Sequence, residues 1–373
     1  MKEFYNRIIV TLISIFIVVF SLLLIFSDKK TFSENENRYL QVFPKFSFRN
    51  LKDGSYTSKL QSYLSDHFVG RDAFMSIKTF YEKISGKNEI NEVYLGKDNY
   101  LIEKYNKPVN NDKIIKSLNN LYHELNYINM NLMLVPTSIT INKDKLPKNA
   151  VTNNQLDTIK YIYDNIDFNT IDITKTLMEY NKKYQMFYYL DHHWTTYAAY
   201  YAYQVYCYNN LLEPVPIYEF DVEEVTKDFN GTLYSESNDY SRKSDTIALF
   251  LYDKYSYSVN YVSKDIIKDS LYEMDYLNTK DKYSVFLDNN HPLIVVTNNE
   301  IKTKAEIAVI KDSYANSMIP FLANHYKKVH IIDPRFYKLS IVQYIKDNNN
   351  IKDMLILYNT NTIDEDNGIV TIN

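Results

Sequence analysis

Hydrophobic positions divide the chain into three regimes. From Ile8 to Ser27, "IIVTLISIFIVVFSLLLIFS" carries no charge. At about 1.5 Å per residue, a helix of that length spans a hydrocarbon core of roughly 30 Å. Residues 28–50 are polar, with Pro44 and scattered aromatics, and read as an extended arm. After the arm, apolar positions at helical spacing (Tyr56, Leu60, Tyr63, Leu64, Phe68, Phe74, Ile77) predict a helix over about 54–84. A second is predicted over 111–128 from Ile114, Ile115, Leu118, Leu121 and Leu125. Between them, "YLGKDNYLI" (94–102) reads as a hairpin with "GKDN" as its turn.

Beyond residue 130 short apolar runs alternate with helical stretches. Strands are predicted at 131–136, 170–174, 185–190, 305–310, 327–333 and 353–358, and helices at 154–166 and 195–210. A β-rich stretch, 217–300, interrupts the alternation. Such alternation predicts an α/β domain whose mostly parallel sheet is covered on both faces.

Composition narrows the function classes. A formal charge of −4 leaves no basic footprint for nucleic acid. One cysteine, Cys207, rules out a disulfide framework and a cysteine-based zinc site. With 37 tyrosines in the chain, no single tyrosine stands out. The apolar N-terminus exceeds the usual signal-peptide core, and "FSDKKTF" after it offers no small-residue cleavage site. Residues 1–27 are therefore expected to be a cytoplasmic stub and signal-anchor. Residues 28–373 would then be one extracytoplasmic domain with the 28–50 arm and the 217–300 insertion. Lys2 and Arg7 before the span are matched by Lys29, Lys30 and Arg38 after it, so charge does not set the orientation.

Two predicted strands run into reactive side chains: "QMFYYL" into Asp191-His192-His193, and "AEIAVI" into Lys311-Asp312-Ser313. Ligands of parallel sheets gather at such strand ends. Ser313 at a strand-to-helix turn is either a helix N-cap or a nucleophile beside helix-N-terminal amides. Asn316, one turn on, offers a further amide donor, and Pro320 is expected to shorten the helix. In extended chain Asp191 and His193 share one side and His192 takes the other. This favours an Asp191–His193–Ser313 triad covered by Trp194. A three-ligand metal site, a hydrogen-bonded structural knot and a His192–Ser313 pairing are the alternatives. The metal site is disfavoured because no Asp-x-Asp pair accompanies it.

"LDHHWTTYAAYYAY" resembles the signature of the DHHW-motif proteins. These are similar to SGNH-hydrolase-like O-acetyltransferases of bacterial exopolysaccharides, such as the alginate acetylation proteins. "SENENRYLQVFP", "YLSDHFVGRDAF", "YLGKDNYLI" and "IKDSYANSMIPFLANHY" follow in the order of that family's landmarks. The resemblance implies a three-layer SGNH-like fold. It also implies Asp191 and His193 as the carboxylate–imidazole pair and Ser313 as nucleophile; no cofactor or metal is expected. The order Asp, His, Ser departs from ordinary SGNH hydrolases, and Lys-Asp-Ser stands where Gly-Asp-Ser is usual. Asn230 and Gly231 in "DFNGTLYS" are candidates for the oxyanion block. Arg335 is either a contact for an anionic substrate or one half of a surface ion pair. The implied activity is acetyl transfer to a polysaccharide, with a membrane-bound O-acyltransferase as acetyl supplier. A carbohydrate esterase with the same triad and a non-catalytic polysaccharide assembly protein are the other readings.

Overall fold

The computed structural model describes residues 2–372 and divides into two compact units. The first holds the chain up to Lys87 together with Tyr234–Ser241; the second holds Asn88–Leu233 and the chain from Arg242 onward.

In the first unit the apolar N-terminus is one helix, Lys2–Phe26, of which Glu3–Phe26 is long and apolar enough to cross a bilayer. The single helix expected over 54–84 is two, Ser55–Asp66 and Arg71–Ile84. The break falls at Gly70, whose φ of 77° lies in the left-handed region that glycine adopts without strain.

The second unit is built on an eight-stranded sheet. Its order is Ile266–Lys268, Tyr257–Tyr261, Leu293–Asn298, Lys328–Ile332, Glu306–Lys311, Ile351–Asn359, Asn129–Val135 and Asn169–Thr170. From Lys328–Ile332 to Asn169–Thr170 all neighbours are parallel. The other three strands join antiparallel and come from the β-rich stretch. That stretch also forms a separate hairpin, Asp221–Phe229 with Asp245–Leu251. Central strands are mostly apolar because both faces are covered, with Asn131, Glu306, Lys311 and His330 among the buried polar exceptions. Met133, Val135, Ile307, Val309, Leu355 and Leu357 pack toward the helix Thr196–Asn209. Leu132, Leu134, Ala308, Ile310, Met354 and Ile356 pack toward Asn111–Glu124, Gln155–Asp164 and Ile341–Asp347. This is the expected three-layer α/β arrangement with a mostly parallel sheet.

Two expected strands fall short: the one over 170–174 is a strand only at Asn169–Thr170, with the helix Thr174–Tyr180 following, and the other is absent. Residues 185–190 are not a strand of the sheet; they form an irregular loop closed by a single antiparallel bridge, Phe187 to Trp194. The run is apolar because Met186, Phe187, Tyr188 and Leu190 are all buried, and burial alone does not specify extended pairing. After Ser313 the helix is short, as Pro320 leads one to expect. A 3-10 turn, Ser313–Ser317, leads into the one-turn helix Ile319–Leu322, with Pro320 in its first turn.

Candidate active site

Ser313 lies two residues past the end of the central strand Glu306–Lys311, at the carboxyl edge of the parallel sheet. Asp312 shapes its turn. Its carboxylate accepts from the Tyr314 N–H (2.8 Å), the Asn359 N–H (2.8 Å) and Asn359 Nδ2 (2.7 Å), tying the turn to the end of the neighbouring strand. Burial pushes the Asp312 carboxyl up to about 6, against Arg335 and these donors. The Ser313 N–H has no hydrogen-bond partner among the described residues, whereas the Tyr314 N–H is engaged by Asp312. The Ser313 amide is therefore the donor left open beside its own hydroxyl.

The Asp191-His192-His193 segment comes from the loop that precedes helix Thr196–Asn209. Asp245 holds the approach, accepting from Gln185 Nε2 (2.9 Å), the Tyr189 N–H (2.9 Å) and the Leu190 N–H (2.8 Å). Burial pushes the Asp245 carboxyl up to about 7, opposed by those donors. Asp191 Oδ1 accepts from the His193 N–H at 2.9 Å and from His193 Nδ1 at 2.6 Å. His193 Nε2 lies 2.7 Å from Ser313 Oγ. An ionised carboxylate only accepts, so Nδ1 carries the proton and the Nε2 lone pair faces the serine hydroxyl. Asp191 and His193 are 3% and 6% exposed; Ser313 is half-buried, the member of the trio that solvent reaches.

The second Asp191 oxygen, Oδ2, accepts from the Thr232 N–H at 2.8 Å. Gly231 permits this approach, since a Cβ there would stand 2.2 Å from Oδ2. Burial pushes the Asp191 carboxyl up, but His193, His192 and the Thr232 N–H outweigh it and hold the group well below the usual carboxylate range.

The remaining expected residues take other places. Trp194 is fully buried and does not cover the trio; its Nε1–H donates to Tyr314 O and Ser317 Oγ, both at 2.9 Å, pinning the serine turn to the histidine segment. The ring over His193 is Tyr283, parallel within 13° at a centroid distance of 3.8 Å. His192 does not point to the opposite side, because the segment turns rather than extends. Its ring centroid lies 3.9 Å from that of His193, and its carbonyl accepts from Tyr314 Oη–H.

Ligand atoms of Asp191, His192 and His193 do come within 4.8 Å of one another. Both Asp191 oxygens and both His193 ring nitrogens already have partners, so His192 alone has a ring nitrogen without one.

Neither oxyanion candidate from the asparagines holds. Asn316 is buried with its Oδ1 accepting from Lys311 Nζ (2.7 Å) and its Nδ2 turned toward Asn290 (3.3 Å). Asn230 is engaged with Asp228 (3.1 Å) and Ser244 (2.9 Å), and Gly231 serves Asp191. Arg335 pairs in two contacts with Asp333, at 2.8 and 2.6 Å, the ion-pair alternative. Lys311 is wholly buried beneath the serine turn, donating to Asn290 Oδ1 (2.5 Å) and lying 3.5 Å from Asp333. Burial lowers its ammonium to about 8 although Asp333 opposes this. Sequence reasoning did not single out Tyr283, Asp245, Thr232, Asn290 or Asn359. Only Asn359, polar at the end of an apolar strand, carried a visible signal.

The fold is shared with solved structures. A DHHW family protein from Eubacterium siraeum aligns with TM-score 0.67 and 20% identity, over 76% of this chain and 95% of its own. Bacillus cereus PatB1 aligns with TM-score 0.60 and 20% identity, over 74% and 98%. PatB1 with a sulfonyl adduct gives TM-score 0.61 and 18% identity, over 74% and 97%. No curated protein matches the chain. The DHHW protein family model matches residues 87–332, a stretch that contains Asp191, His193 and Ser313, and on that match the chain belongs to the DHHW protein family.

Proposed function

We propose that this protein is an O-acetyltransferase that carries an acetyl group on Ser313 and passes it to a hydroxyl of a cell-surface or secreted polysaccharide. The observation that carries the reading is the continuous hydrogen-bonded line from Asp191 through His193 to Ser313. Ser313 Oγ attacks the acyl carbonyl while its proton moves to His193 Nε2. The Asp191 carboxylate stabilises the resulting imidazolium, and the Ser313 N–H faces the developing oxyanion. Collapse expels the donor's leaving group, which takes the proton from His193. The acceptor hydroxyl then gives its proton to His193 Nε2 as its oxygen attacks the acetyl-serine. Return of that proton to Ser313 Oγ releases the acetylated sugar.

Acetyl as the group and polysaccharide as the acceptor follow from the landmark resemblance to exopolysaccharide O-acetyltransferases. A sulfonyl electrophile is the kind of reagent an activated serine hydroxyl captures, and a solved relative carries such an adduct. The apolar helix supports a single-pass anchor with the catalytic domain outside the cytoplasmic membrane, where a membrane-bound O-acyltransferase supplies the acetyl group. The test is mass spectrometry of an oligosaccharide incubated with an activated acetyl ester and the protein. Acetylated sugar is expected with the wild type and none with Ser313→Ala. Undiminished transfer by Ser313→Ala overturns the proposal, and free acetate without acetylated sugar makes the protein an esterase.

A further inference from the structure

The helix Arg71–Ile84 in the first unit is amphipathic, but it faces the wrong way for a helix of a soluble domain. Its apolar side points outward. Phe74, Ile77, Phe80, Tyr81 and Ile84 fall within about 120° of arc at 100° per residue. All are exposed, the last four to between 63% and 67%. The side turned to the protein is mainly polar: beside the half-buried Met75, Thr79 is buried, and Lys83 Nζ donates to both oxygens of Asp239, at 2.9 and 3.0 Å. A soluble surface helix does the reverse and buries its apolar stripe. An outward stripe of five large apolar side chains needs a cover.

Its position relative to the N-terminal helix identifies the cover. Phe20 stacks on Phe68 with centroids 4.9 Å apart and planes within 1°, and meets Phe74 edge-on at 6.5 Å. Phe20 and Leu24 are half-buried, as is Ser27 just past the helix end, while the other described side chains of that helix are exposed. Phe20 lies about 9 Å along the axis from the end of the helix at Phe26. If the helix spans the membrane, its partners Phe68 and Phe74 are brought to the depth of the outer acyl chains, and the stripe begins there.

We propose that Arg71–Ile84 is an interfacial membrane helix, lying in the outer leaflet with its stripe among lipid acyl chains and its polar side on the protein. The proposal rests on the anchor reading of the N-terminal helix. It gives the protein a second membrane contact beside the anchor, of the kind an apolar helix face makes at the headgroup–acyl boundary.

The test uses the full-length protein in phosphatidylethanolamine–phosphatidylglycerol liposomes, with nitroxide labels on single introduced cysteines. Cys207 is fully buried, so introduced cysteines label selectively. Ile77→Cys and Ile84→Cys report on the stripe, Val18→Cys on the anchor, and Lys160→Cys, at an exposed residue of the second unit, on water. Collision with oxygen is compared with collision with a water-soluble nickel chelate. Labels at 77 and 84 are expected to favour oxygen several-fold over the Lys160→Cys label, as the Val18→Cys label does. If they match the Lys160→Cys label while Val18→Cys reports lipid, the interfacial helix is wrong and the anchor stands. If they are shielded from both reagents, protein covers the stripe and the proposal also fails. If Val18→Cys itself reports water, both the anchor and the interfacial helix are overturned.

Discussion

Asp191 is the residue on which the site's electrostatics turn. Buried at 3% exposure, it is satisfied by three N–H donors from His193 and Thr232, and its carboxyl is held well below the ordinary range. A carboxylate whose folded value lies below its unfolded value of about 3.9 adds stability above that pH. The contribution is lost as the pH falls from about 4 toward the folded value. Asp191→Asn should therefore lose less stability, relative to wild type, at pH 3 than at pH 7. The difference should narrow by about 1 kcal/mol, at 1.36 kcal/mol per pH unit below 3.9. Denaturant midpoints of both proteins at the two pH values check this, and an unchanged difference would contradict the ionised, paired state. The same variant should lower acyl transfer by roughly 10³–10⁴-fold, because a neutral amide no longer fixes the Nδ1–H tautomer.

At the scale of elements, the site depends on how the histidine segment is held to the serine turn. Trp194 provides that link through two bonds from one N–H. Trp194→Phe would leave Tyr314 O and Ser317 Oγ without this donor at no great cost in packing. A stability loss of about 1 kcal/mol follows, the net worth of a buried hydrogen bond, because Tyr314 O still accepts from Ser317 Oγ and Ser317 Oγ still accepts from Tyr283 Oη. Acyl transfer should fall through kcat with KM little changed, because the loosened element positions Ser313 and does not bind substrate. Kinetics on an activated acetyl ester, alongside denaturant unfolding, would show it; normal kcat in a destabilised variant would reduce the link to a structural one.

Elements differed in how far they could be read from sequence. The strands near 131, 305, 327 and 353 were legible because burial on both faces makes them predominantly apolar. The 185–190 run was not: its side chains are buried by loop packing, and Asp245, distant in sequence, supplies the hydrogen bonds that a strand neighbour would have given. The juxtaposition of Asp191, His193 and Ser313 was anticipated, but by strand alternation, whereas a turn closed on the Asp191 carboxylate produces it. Tyr283 was invisible for a compositional reason, one tyrosine among 37 with no local pattern marking it.

For the whole molecule, the sheet and the N-terminal helix address different parts of the account. The sheet's carboxyl edge brings Ser313 to the end of its central strand and sets Asn359 and Asp333 at the ends of its neighbours. The β-rich stretch belongs partly to this sheet: three of its strands extend it antiparallel, and a tyrosine from the same stretch covers the imidazole. The proposed triad therefore lies in the second unit, while the helix Glu3–Phe26 and the stripe of Arg71–Ile84 concern where the proposed chemistry takes place. The central claim is that Ser313 accepts the acyl group. It is tested most directly by intact-protein mass after incubation with an activated acetyl ester, with peptide mapping of the product. One acetyl group on wild-type protein, mapped to Ser313 and absent from Ser313→Ala, is the expected result; an acetyl adduct of equal yield on Ser313→Ala, or one mapped elsewhere, would contradict it.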